Sequence, residues 1–72
     1  MEIFKAVTKQ LVLGAVANEM HKSIFNGRVD FDNSMTNDRV YFTGEGETNN
    51  GEIEFHGWVD SHARVYVAAN YI

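Results

Sequence analysis

The hydrophobic positions of this 72-residue chain change period once, at Gly27. Before it, residues 2–25 read as a helix. The chain has no Pro, and Ala, Leu, Met, Lys, Gln and Glu are good helix formers. At about 100° per residue, Ile3, Val7, Leu11, Gly14, Ala17, Met20, Ile24 and Phe25 share one arc, with Lys5, Lys9, Glu19 and Ser23 opposite. Val12 and Val16 break the pattern, because on this phase they lie on the polar side. Residues 11–17 are then apolar nearly all round, which implies burial on more than one side. Val12 and Val16 are the expected contacts of a homo-oligomer. A second parse makes residues 2–7 a strand and starts the helix at a Thr8 cap, running to about Lys22. Asn26 and Gly27 then end the helix, with Gly27 as the left-handed cap.

After Gly27 the period is two. Val29 and Phe31 alternate with Asp30 and Asp32, as in a half-buried strand. Residues 33–38 read as a loop, with Met35 as a possible extension of the strand and a tight turn at Asn37 and Asp38. Residues 39–60 form the clearest element, a hairpin around Asn50 and Gly51, the strongest short-range hairpin signal. A two-residue loop there pairs Asn49 with Glu52. Phe42 then faces Val59, Gly44 faces Gly57, Gly46 faces Phe55 and Thr48 faces Ile53. On the other side Tyr41 meets Asp60, Thr43 meets Trp58, Glu45 meets His56 and Glu47 meets Glu54. A three-residue loop after Asp60 puts Val65, Val67, Ala69 and Tyr71 on the apolar face. Arg64, Tyr66 and Ala68 join the other face, with Tyr66 beside Trp58. The expected fold is a single small α+β domain over residues 1–72. An N-terminal helix packs on one face of a four-stranded antiparallel meander, in strand order 1-2-3-4.

Composition narrows the function. Apolar residues at 44% and charged residues at 22% suit a globular domain and argue against disorder. With no Cys there is no disulfide and no thiolate metal site. The apolar run at residues 11–17 is far short of the roughly 20 residues that span a bilayer. It is also short for a signal peptide, so the expected setting is cytoplasmic with no membrane contact. The net charge of −4 is unevenly spread. Residues 1–29 carry four cations and two acids. Residues 30–60 carry eight acids and one cation, Arg39. Such a centre repels nucleic acid and attracts basic surfaces.

No constellation supports catalysis, a cofactor or a metal. Asp30, Asp32 and Ser34 imitate the start of a calcium loop. Met35 stands where its Gly should be, and Tyr41 where its bidentate Glu should be. His21, His56 and His62 lack a ligand spacing. None of the three serines sits in a nucleophile elbow. Exposed Trp and Tyr clusters are typical interface anchors. Expected partner-binding residues are therefore Tyr41, Glu45, Glu47, Glu52, Glu54, His56, Trp58 and Tyr66. The expected function is a non-enzymatic interaction or regulatory protein that docks a basic protein surface or its own copy through this acidic-aromatic face. By composition it parallels the small acidic inhibitors of host proteins carried by phages and mobile elements. Two other readings stand beside it: a structural homo-oligomer joined through residues 11–17, and a small oligomeric enzyme or ligand binder with an intersubunit site.

Overall fold

The computed structural model describes residues 8–32 and 38–72. One helix, α1 (Lys9–Met20), packs against a sheet of four strands: β1 (Phe25–Phe31), β2 (Val40–Thr48), β3 (Gly51–Val59) and β4 (Val65–Tyr71). Strand order follows the chain and every pairing is antiparallel. The α+β meander is therefore as the alternation implies. Three expectations lie outside the described residues: a helix start at residue 2, a strand over residues 2–7, and the Met35 extension with its loop over residues 33–38, of which only Asp38 is described.

Thr8 starts the helix. Its extended backbone leaves the side-chain oxygen free to accept from the Leu11 N–H at 3.1 Å. That bond satisfies one of the donors left open at a helix N-terminus. The second parse holds: the helix starts at the Thr8 cap and ends at Met20, close to Lys22 and short of residue 25, and Gly27 does not end it. His21 takes the left-handed conformation at φ 55°, and the Lys22 N–H returns to the Ala17 carbonyl at 3.1 Å. His is among the few side chains that tolerate this region. Asn26 also has positive φ, at 52°, but within β1. There it produces a bulge between Phe25 and Arg28. Gly27 lies under the Leu13 side chain, which occupies the space a Cβ would need.

The phase of the helix is also different. Val12 and Val16 are fully buried at 0% exposure, inside a core with Phe42, Ile53, Phe55 and Val59. They face the sheet of their own chain and offer no surface to another copy. Leu11 and Leu13 flank Val12 at about 100° on either side and are half-buried, while Gly14 and Asn18 are exposed. The apolar-all-round run is thus one buried line with two half-buried shoulders. Phe25, expected on the buried arc, is instead 48% exposed and pairs with Glu47.

The central hairpin keeps its faces and changes its register by two residues. Thr48 pairs with Gly51, around a loop of Asn49 and Asn50. Neither Asn has positive φ, so the turn is not the type I′ form that Asn50 and Gly51 suggest. Gly51 takes the unusual conformation instead, at φ 132°. The buried Thr48 hydroxyl holds the loop, accepting from the Asn50 N–H and donating to the Gly51 carbonyl, each at 3.0 Å. Inside the sheet, Phe42 now faces Gly57, Gly44 faces Phe55 and Gly46 faces Ile53. Each of these three glycines opposes a large apolar residue, and the expected pairing of Gly44 with Gly57 is avoided. The β3–β4 register is as expected: Trp58 faces Tyr66, and Val59 faces Val65.

Candidate functional site

The helix covers the inner face, so no described element lies over the outer one. Alternation places Tyr41, Thr43, Glu45 and Glu47 of the second strand on it, with Arg39 just before that strand and Glu52, Glu54, His56 and Trp58 of the third. All eight residues expected to bind a partner share this face. The two-residue shift preserves that, because side chains repeat every two residues along a strand.

The shift does change the neighbours. Tyr41 lies opposite Trp58, and Trp58 lies opposite Tyr66, which makes one aromatic row across three strands. Trp58 and Tyr66 stack at 5.2 Å between centroids, inclined by 22°. Tyr41 and Trp58 sit 6.2 Å apart and tilted. The Arg39 guanidinium carbon lies 4.6 Å from the centre of a Trp58 ring, a cation–π contact. His56 is opposite Thr43 rather than Glu45.

Beyond that row the face turns acidic. Glu45 is directly opposite Glu54, and Glu47 directly opposite Glu52. All four are exposed. Like charges in direct cross-strand positions oppose folding. Two groups from β1 moderate them: Arg28 is the neighbour of Glu45 on the other side, and the Asn26 amide donates to a Glu47 carboxylate oxygen at 2.7 Å. The face is thus polarised along its strands, with an aromatic row capped by one cation at one end and four carboxylates at the other.

The turn between β3 and β4 fixes the aromatic end. One Asp60 carboxylate oxygen accepts from the His62 and Arg64 N–H groups, each at 2.9 Å. The other lies 3.5 Å from the Tyr66 hydroxyl. The Arg64 N–H holds this carboxyl below its usual range. Partial burial opposes that effect, while the His62 N–H and the nearby Arg64 and His62 charges reinforce it. Ala63 adopts the left-handed conformation at φ 61° to close the loop.

Arg39 was not among the expected site residues, although its alternation with Tyr41 puts it on the same face. Asn26 left no comparable sequence signal, because its reach to Glu47 depends on the bulge. Among the described residues, no three His, Cys, Asp or Glu side chains gather as metal ligands. No described helix is long and apolar enough to cross a membrane. Two shallow hollows border this face, of about 260 Å³ beside Phe31 and Tyr41 and about 200 Å³ beside Trp58 and Tyr66. Both fall below the roughly 300 Å³ at which small-molecule sites begin. Comparison with protein-family models, curated proteins and solved structures returns no match.

Proposed function

We propose that the chain is a non-enzymatic binding protein that docks a basic protein surface on the outer face of its sheet. The observation that supports this most directly is the pairing of four exposed carboxylates, two against two, beside an uncovered aromatic row. The fold accepts like-charge repulsion on that face, and a cationic partner relieves it. The row supplies flat, rigid anchors of the kind that dominate protein interfaces. Arg39 already lies over Trp58, so the ring accommodates a guanidinium in the position an incoming Arg side chain would take.

The test uses an Arg- and Lys-rich peptide as probe and Trp58, the single Trp, as the fluorescent reporter. Binding is expected to weaken steeply with added salt, because exposed charges are screened within about 10 Å at 0.1 M. Replacing Glu45 and Glu54 by Gln is expected to slow association, and Trp58→Ala to cost about 2 kcal/mol of affinity, followed by calorimetry. Binding that is indifferent both to salt and to the two Gln substitutions would remove the acidic face from the reading.

A further inference from the structure

The two edges of the sheet are built differently. β1 carries Arg28 and Asp30 and is broken by the bulge at Asn26 and Gly27. Charges and bulges are standard protections of an open edge. β4 has neither. Its seven residues, Val65–Tyr71, include no charge and no Pro, and they pair with β3 in unbroken register. The Ile72 N–H bonds to the Glu52 carbonyl, and the Asp60 N–H to the Arg64 carbonyl. Even-numbered residues of β4 therefore point their backbone groups at β3. Val65, Val67, Ala69 and Tyr71 point theirs away, and among the described residues no strand lies there.

We infer that β4 is a self-pairing edge, joining two copies antiparallel about a two-fold axis at Ala68. In that register Val65 meets Tyr71 of the other copy, Tyr66 meets Asn70, Val67 meets Ala69, and Ala68 meets Ala68. The outward-pointing backbone groups then bond in pairs, as an antiparallel ladder requires.

Charge selects a second copy as the occupant. Two identical acidic chains repel wherever their carboxylates meet, and β1, β2 and β3 all carry carboxylates. β4 is the one strand that carries no acid. The same register sets Arg64 of one copy opposite Ile72 of the other, whose β3 neighbour is Glu52. The cation at one end of the strand thus approaches the acidic end of its partner. Both helices lie on one side, and the acidic-aromatic face continues across both copies.

The test is sedimentation equilibrium of the full chain, of four single variants and of a chain lacking residues 1–7. The mass is expected to rise towards twice the chain mass with concentration. Ala68→Lys, at an exposed position, places two cations together at the axis and is expected to raise the midpoint concentration at least about tenfold. The chain has no Cys of its own, so Ala68→Cys reports directly. Residues facing each other at a non-hydrogen-bonded site have Cα atoms about 4.5 Å apart, within the range a disulfide spans. Ala68→Cys is expected to cross-link on oxidation and Asn70→Cys, which would face Tyr66, to stay single. Three results would overturn the inference. The first is a monomer at every concentration with no Ala68→Cys cross-link. The second is a dimer that Ala68→Lys spares and Trp58→Ala abolishes. The third is a dimer that appears only once residues 1–7 are removed. The first and third outcomes leave peptide binding by the outer face untouched, whereas the second would assign that face to self-association.

Discussion

The two faces of this sheet obey opposite rules. On the inner face three glycines each oppose a large residue: Phe42 with Gly57, Gly44 with Phe55, Gly46 with Ile53. On the outer face of the central hairpin like mostly opposes like, with carboxylate against carboxylate in two pairs and aromatic against aromatic in one row that runs on into β4. A register two residues away would give the outer face a Glu45–His56 contact and remove one carboxylate pair. It would also set Gly44 against Gly57 and leave a void beneath the helix. Magnitudes decide between them. Burying a Phe or Ile side chain is worth about 1.5–3 kcal/mol. An exposed cross-strand charge pair is worth about 0.2–1 kcal/mol. The inner face therefore sets the register and the outer face accepts the consequences, which also concentrates its charge.

The sharpest way to break this comparison is Phe55→Ala. It removes a side chain that is 3% exposed and that fills the space over Gly44. The expected loss is about 3–5 kcal/mol in denaturant unfolding. Next comes Gly57→Ala, whose new Cβ would run into the Tyr66 backbone carbonyl of β4. About 2–3 kcal/mol is expected, measured the same way, because backbone cannot swing aside. Thr48→Ala removes the hydroxyl that ties Asn50 to Gly51 and is expected to cost about 1 kcal/mol. Glu54→Gln should act with the opposite sign. Relieving the Glu45 pair is expected to stabilise the fold by up to about 0.5 kcal/mol at low salt, with the gain shrinking as salt is added. A destabilised Glu54→Gln protein would mean that the outer face takes part in choosing the register.

The smallest effect concerns Asp60 and pH. Its carboxyl is held below the usual range in the folded chain. The folded state thus binds this proton less readily than the unfolded one. The contribution is complete above the ordinary carboxylate value, near pH 4. It is lost as pH falls through the lower folded value. Asp60→Asn is expected to flatten that part of an acid-unfolding curve and to leave the rest of the curve in place.

Much of the architecture was legible in the chain because period-two alternation is a local property. Val29 and Phe31, Phe42, Ile53, Phe55 and Val59 all announce the inner face, and Trp58 beside Tyr66 follows from the length of the loop at Ser61. Alternation cannot distinguish registers that differ by two, so Asn50 and Gly51 pointed to the right hairpin and the wrong partners. The helix was harder still. Nearly all of residues 11–17 are apolar, so the sequence contains no phase. Only the sheet, with its glycine gaps and the reach of Phe42 and Phe55, turns Val12 and Val16 inward. The Thr8-capped parse already ends the helix close to His21, whereas the Asn26 bulge needs long-range pairing, since it arises only where β1 meets Glu47.

By itself, then, the sequence determined the four strands, their order, which side chains share a face, and the gathering of acids and aromatics on one of them. The tertiary structure alone decided which residues stand opposite one another and which side of α1 is buried. Faces follow from the two-residue repeat of the backbone. Opposition follows from filling a volume, and that volume exists only once helix and sheet have met.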